Sequence, residues 1–263
     1  MYIRFRDYCC QGGENGIETS AFRPSDLEMP TKDGKALVFC PLGNQPKSPK
    51  LAVVGITPGG QSKRFEDSLK ETGSVEKAAK TAAFAGAHDA IRALLSAHGF
   101  LEELGIACPA NLNDSDAIFT TSLVKCCVKS GGSYLYKAPD ICASETATYC
   151  LLHRFIGDIE HYRTIRHIII LGAPGWEAVT TIKYQGFTVK AYFEAEGLKV
   201  LNMPHFAQNY QQRAIYALDP ERDNEYFEEH PTHQPYLSEA ARMRDSAMRE
   251  VERLRRSNSS TLG

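Results

Sequence analysis

The residues best suited to chemistry sit in Leu51–Phe65, read as LAVVGITPGGQSKRF. A short apolar run, Leu51-Ala52-Val53-Val54, ends abruptly at Gly55, and Thr57-Pro58-Gly59-Gly60 then interrupts any regular structure. Adjacent glycines let a backbone come close to a ligand with no Cβ in the way. Thr57 adds a hydroxyl, Gln61 an amide, and Lys63 and Arg64 two cations. Two readings are open: a ligand-binding loop at a strand tip, or an ordinary strand-to-helix turn. A phosphate-binding loop is a poor match. Gly55 and Gly60 have the spacing of its two glycines and Ser62 the place of its hydroxyl, but Gln61 stands where the phosphate lysine belongs.

Three further clusters carry usable groups. Ser122, Lys125, Cys126 and Cys127 close a second β-branched, aromatic run, Ile118–Val124. The glycine loop Ser130–Tyr136 follows, with Lys129 and Lys137 at its edges and Tyr134 and Tyr136 between them; interleaved aromatics and lysines suit stacking on bases and contact with phosphates, and a plain surface loop is the alternative. Asn202–Tyr210 crowds His205, Phe206, Gln208, Asn209 and Tyr210 behind a third apolar run. Phe84, just ahead of a helix, is either a core aromatic or an exposed stacking platform.

The elements that must position these groups follow from periodicity. Glu66–Lys80 is highly charged and broken at Gly73, which suggests a solvated connector or a flap. Ala87, Ala90, Ile91, Leu94 and Leu95 share one helical face, with Gly99 as the stop. Ala143–His161 reads as a helix and His167–Gly172 as a buried strand. Trp176 opens the next helix, and Phe187–Phe193 alternates like an edge strand. Leu198–Leu201 is a further strand. Asp219–Tyr236 reads as a polar linker. Leu237–Arg255 reads as a helix with a stripe of Leu237, Ala241, Met248, Val251 and Leu254, the arginines (Arg244 among them) decorating the rest. Strands separated by helices predict an α/β fold, a three-layer α/β/α arrangement around a central mostly parallel sheet, in which polar loops after successive strands converge on one edge. The organisation expected is an N-terminal arm over 1–49 packed on the core, an α/β domain over 50–218, and a linker with a C-terminal helix over 219–263.

Composition sets the outer bounds. The 263 residues are 43% hydrophobic and 24% charged, ordinary for a globular protein, with a net charge of −2 that supplies no global basic field. Nucleic acid would have to meet a local patch. No apolar run approaches a membrane span, and the first residues lack a signal-peptide core, so a cytoplasmic protein without a membrane partner is expected. The eight cysteines include no C-x-x-C pair and read as reduced, buried small side chains.

Taken in order, these motifs resemble the uracil-DNA glycosylase superfamily over roughly residues 50–215. Gly55-Ile56-Thr57-Pro58-Gly59 resembles its first motif. Thr121–Cys126 resembles its base-reading strand end, Ile168–Gly172 its third strand, Met203-Pro204-His205 the start of its final His-Pro-Ser type motif, and Thr81–Gly86 the segment carrying its base-stacking aromatic. Thr57 stands where many members carry Asp, Glu or Asn. Ser122 replaces the base-reading Asn, and Phe206-Ala207 replaces Pro-Ser.

The resemblance implies a monomeric, monofunctional DNA glycosylase that flips a nucleotide from the stack and hydrolyses its N-glycosidic bond, leaving an abasic site. Gly55, Ile56, Pro58, Gly59, Phe84, Ser122 and Phe206 would bind the base, with Phe84 stacked on it. Thr57, Gln61 or Asn209 would hold the water, and His205 would stabilise the departing anion. Lys63, Arg64, Lys129, Tyr134, Tyr136, Gln208 and Tyr210 would meet the DNA, with Gln208 or Tyr210 as the wedge. Smaller side chains at Thr57 and Ser122 imply a roomier site. By resemblance to bacterial antiviral relatives, that points to a bulky modified cytosine such as glucosylated hydroxymethylcytosine in phage DNA. Uracil repair and non-catalytic binding of a modified base are the alternatives, with a small-molecule α/β enzyme as a third class. No cofactor is expected. Some members hold an iron–sulfur cluster, and Cys126 and Cys142 resemble its second cysteine pair in spacing; the N-terminal C-x-x-C is missing, with Cys9, Cys10 or Cys40 as the available substitutes.

Overall fold

The computed structural model describes residues 28–30, 34–38, 40–125, 127–131, 133–134, 145–206 and 210–260. In chain order, β1 (Glu28–Pro30) and β2 (Ala36–Val38) precede β3 (Leu51–Gly55), α1 (Gln61–Thr72), α2 (Val75–Ala82), α3 (His88–Ser96) and α4 (Phe100–Glu103). Then come β4 (Ile118–Ser122), β5 (Cys127–Ser130), β6 (Ser133–Tyr134), α5 (Glu145–Cys150), α6 (Ile156–His161), β7 (His167–Leu171) and α7 (Ala173–Thr181). A two-stranded hairpin, β8 (Lys183–Tyr184) and β9 (Phe187–Thr188), leads to α8 (Val189–Ala195), β10 (Lys199–Met203), α9 (Tyr210–Ala217), α10 (Asp223–Glu229) and α11 (Leu237–Ser260).

The central sheet has the order β10-β7-β3-β4 and is parallel throughout. Every residue of β3, β4 and β7 is buried, as expected for parallel strands covered on both faces. Side chains alternate between two cores. Ala52, Val54, Ile168, Ile170 and Val200 pack against Phe65, Leu69, Ala78, Phe155, Val179 and Phe193. Leu51, Val53, Ile169, Leu171, Leu201 and Met203 meet Ile91, Leu95, Phe100, Tyr216, Met243 and Val251 on the opposite face. The result is a three-layer α/β/α fold in which α11 is part of one helical layer.

Several expectations need correction. The charged stretch after the glycine loop is helical: α1 turns Phe65 and Leu69 inward, ends on left-handed Gly73 (φ 63°), and α2 restarts with Ser74 accepting the Lys77 N–H at 3.2 Å. The 130–136 loop is instead partly a hairpin. β5 and β6 belong to a second, antiparallel sheet of order β1-β2-β5-β6, in which Ala36–Val38 pairs with Cys127–Lys129. The helix expected from Ala143 is described from Glu145 and passes through a π-helical turn, Leu151–Phe155, between α5 and α6. α7 starts three residues before Trp176, because Gly172 supplies the turn and Pro174 suits a first helical turn.

The alternating run after Phe187 is helical, not an edge strand. Thr188 accepts the Ala191 N–H at 3.2 Å, and this cap starts α8, which buries Val189 and Phe193 four apart. The 219–236 linker contains α10 and 3-10 turns. The stripe of α11 is displaced from the expected phase: Ala240, Met243, Ala247 and Val251 are buried, whereas Ala241 and Met248 are only half-buried. Arg244, expected on the surface, is 2% exposed. Its guanidinium grips the Asp223 carboxylate through two 2.7 Å bonds, which offsets the cost of burying it.

Candidate active site

Four parallel strands end at one edge, and the residues just past their tips enclose a cavity of about 310 Å3. The loop after β3 is held by the neighbouring strand end. Leu123 N–H donates to Gly55 O (2.9 Å) and Val124 N–H to Ile56 O (3.0 Å), so the β3–β4 ladder continues beyond both strands. Gly59 takes a left-handed φ of 53°, and its carbonyl accepts from the buried Cys127 Sγ at 3.3 Å. Gln61 N–H returns to Pro58 O (3.1 Å) and starts α1, whose first turn contains no acidic side chain. The positive end of this helix therefore lies on the cavity wall, with Gly60 and Gln61 among the lining residues.

Phe84 lies in the turn between α2 and α3 with a φ of 53°, an unusual conformation for a bulky side chain. Gly55 provides the room: a Cβ there would stand 3.3 Å from the ring. The Phe84 ring meets Phe206 edge-on at 5.7 Å, and Phe206 stacks on the His205 imidazole at 4.3 Å and 28°. His205 is placed by Gly172, whose backbone (φ 83°, ψ 159°) is essentially restricted to glycine and whose N–H donates to Met203 O at 2.7 Å. A Cβ on Gly172 would come to 3.0 Å of the His205 Cβ. Burial lowers the His205 pKa below the usual histidine value, and the nearby Arg213 charge lowers it further. The imidazole is accordingly neutral at neutral pH, with one N–H to donate.

Polar groups around this apolar slot are few. Thr57 Oγ1 and Gln61 Oε1 are buried without a hydrogen-bond partner. The Gln61 amide is oriented by its Nε2, which donates to Ala85 O at 3.3 Å. Ser122 Oγ donates to Val124 O at 2.9 Å. Gln212, from α9, lines the cavity while its Nε2 donates to Glu239 Oε2 at 2.6 Å. Among the described residues, none that lines the cavity carries a carboxylate.

The cavity brings together Gly55, Ile56, Thr57, Pro58, Gly59, Gln61, Phe84, Ser122, His205 and Phe206, ten of the residues singled out in the sequence. Lys63 and Arg64 are exposed on α1 and do not line it; Lys63 faces Asp67 at 3.4 Å. Lys129 and Tyr134 are paired in register across the β5–β6 hairpin, and neither is among the lining residues. Tyr210 is 67% exposed, with the Arg213 guanidinium 5.9 Å from its ring centre. Asn209, Gln208, Tyr136, Cys126 and Cys142 lie outside the described residues. Sequence reasoning missed Leu42, Gly172, Pro174 and Gln212 as lining residues. The end of the buried run at Gly172, with Gly172-Ala173-Pro174-Gly175 between it and Trp176, is the one available signal, whereas nothing local distinguishes Leu42 or Gln212.

Among the described residues, no group of three or more His, Cys, Asp or Glu side chains is placed to hold a metal ion. Among the same residues, no helix is long and apolar enough to cross a membrane. Comparison of the chain with family models and with curated proteins gives no match.

Proposed function

We propose that the chain is a monofunctional DNA glycosylase that takes a flipped, modified pyrimidine into this cavity and hydrolyses its N-glycosidic bond. The observation that carries the reading is the convergence of an aromatic wall, a neutral imidazole and an unpartnered buried hydroxyl on one apolar slot: Phe84, His205 and Thr57. Its volume falls at the low end of the ~300–1,000 Å3 range of ligand sites, and a bare pyrimidine ring leaves part of it unfilled. A bulky cytosine such as glucosylated hydroxymethylcytosine in phage DNA is the preferred substrate, which gives the enzyme a role in antiviral defence.

The chemistry divides between the walls. Extruding the nucleotide costs a few kcal/mol, which stacking on Phe84 offsets. Breaking the C1′–N bond builds positive charge on the sugar and negative charge on the base. The His205 N–H and the positive end of α1 face the growing anion without needing a change of protonation. Thr57 Oγ1 holds the attacking water, with Gln61 Oε1 as a second acceptor. A cation-like sugar asks little of the nucleophile, so a hydroxyl that cannot act as a base at neutral pH suffices to orient it. The proton released by the water leaves to solvent and the freed base anion takes one up at the nitrogen that held C1′, so the products are the neutral base and the C1′-hydroxyl sugar.

The test is to incubate the protein with unmodified, uracil-containing and glucosylated phage DNA and score abasic sites. Sites confined to the glucosylated DNA support the reading, and sites confined to uracil DNA return the protein to uracil repair. Thr57, a hydroxyl that is no base near neutral pH, on a cavity whose described lining residues include no carboxylate, favours one second reading, a binder that flips and holds a modified base. A binder retains glucosylated DNA with salt-dependent affinity and makes no abasic sites.

A further inference from the structure

Phe84 cannot hold its position by its own preference. A phenylalanine at φ 53° sits in a sparsely populated region, and such a residue persists only when its surroundings over-determine it. The carbonyls on both sides of it are fastened. Ala85 O accepts from Gln61 Nε2 at 3.3 Å, and Ala83 O accepts from Asn113 Nδ2 at 2.7 Å. The second Asn113 N–H goes to Lys80 O at 2.8 Å, closing an end carbonyl of α2. Asn113 therefore spends both amide donors on the segment that carries the ring.

The other side of Asn113 is anchored in the sheet. Its Oδ1 accepts from Thr120 Oγ1 at 2.6 Å, and Thr120 lies in the middle of β4. Asn44 braces the same point: its Oδ1 accepts the Thr120 N–H at 2.8 Å and its Nδ2 donates to Ile118 O at 2.8 Å. Asn113, Thr120 and Asn44 are all at most 5% exposed. An unbroken run of buried hydrogen bonds thus leads from the central sheet to the backbone of Phe84, and each of its members is costly to leave unpaired.

We infer that Asn113 is a positioning residue of the base slot: through Ala83 it holds Phe84 in its left-handed turn over Gly55 and so fixes the stacking face. This rests on the reading of Phe84 as the surface on which the flipped base lies. Asn113 does not line the cavity and acts only through the aromatic ring. The Gln61 amide belongs to the same clamp, which ties the glycine loop and the aromatic turn to each other.

The test combines a direct view of the ring with a mutant cycle. A fluorinated phenylalanine at position 84 reports the ring environment by fluorine NMR, whatever the substrate. Asn113→Ala should shift or split that resonance, and Thr120→Val, which removes the hydroxyl shared between Asn113 Oδ1 and Asn44 Oδ1 and preserves volume, should do so to a lesser degree if Asn113→Ala fails to fold. Single-turnover excision from glucosylated hydroxymethylcytosine DNA should drop roughly tenfold or more in Asn113→Ala, the size expected from a lost stacking contact. The same substitution should cost nothing further in a Phe84→Ala background, whereas a merely structural role would lower stability and rate equally in both. An unchanged fluorine resonance in the folded variants, or an equal loss in both backgrounds, overturns the inference. A wild-type protein that excises nothing overturns the glycosylase reading, while the fluorine signal still decides the clamp.

Discussion

The Phe84 ring occupies the space that a side chain on Gly55 would take, with the nearest ring carbon 3.3 Å from the position of a Cβ. Strand tip and aromatic wall are thus made for each other: β3 ends in the one residue that lets the ring lie against its backbone. Gly55→Val places two further carbons against Phe84. The expected result is displacement of the ring, with excision reduced roughly tenfold or more and a stability loss of about 1–3 kcal/mol from overpacking. Single-turnover kinetics beside denaturant unfolding separates the two effects.

Gly172 offers a sharper case. Its φ and ψ lie where only glycine is comfortable, and a Cβ would press on His205 at 3.0 Å. Gly172→Ala should cost about 1–3 kcal/mol of stability through strain. It should also rotate the imidazole away from the slot, so the rate falls further than the loss of folded protein explains.

His205 sets a pH dependence whose sign follows from its lowered pKa. The neutral form is present at and above neutral pH, so the excision rate is flat there. As pH falls through the depressed folded-state pKa, the imidazole becomes cationic and is held less well in its apolar setting, and the rate should decline. The unfolded chain protonates this histidine earlier, from pH 6.5 downward, so stability also declines over that window. A His205→Gln variant should lose the acid limb of the rate profile and retain its alkaline side.

At the opposite end of the sheet, α11 is fastened by a buried pair. Glu250 Oε1 lies 2.7 Å from His167 Nε2, and Arg253 bonds the same carboxylate at 2.6 Å. Burial pushes the Glu250 carboxyl up, but the hydrogen bonds and charges of His167 and Arg253 outweigh it and bring it down to about 2. A depressed carboxylate contributes stability that is present above the unfolded pKa of 4.5 and is lost as pH falls toward about 2. Glu250→Gln should remove that acid dependence and lower stability by about 3–5 kcal/mol at neutral pH. Acid unfolding followed by circular dichroism checks both.

Much of this arrangement is legible in the chain because buried parallel strands are written as short apolar runs. Leu51–Val54 and His167–Leu171 each stop at a residue that opens a loop, so these tips and several of the groups beyond them can be found without coordinates, whereas the run Ile118–Val124 continues two residues past the end of β4 at Ser122. Phe187–Phe193 misleads because a short amphipathic helix of seven residues with two aromatics mimics alternation, and the decisive Thr188 cap is one hydrogen bond. The phase of α11 misleads because Arg244, read as a surface charge, is buried against Asp223, and Glu250, which nothing local marks as buried, meets His167 83 residues earlier. Asn113 has no local signature at all. Its bonds reach residues 30 and 33 positions earlier, and only the folded chain brings them together.

The measurement closest to the central claim is mass-spectrometric detection of free base after single-turnover incubation with glucosylated hydroxymethylcytosine DNA, run for the wild type and for Phe84→Ala. The account predicts release of free glucosylated base in step with abasic sites, slowed roughly 10- to 100-fold by loss of the stacking ring. Intact DNA recovered from a tight complex, or release of uracil alone from a uracil-containing control, would contradict it.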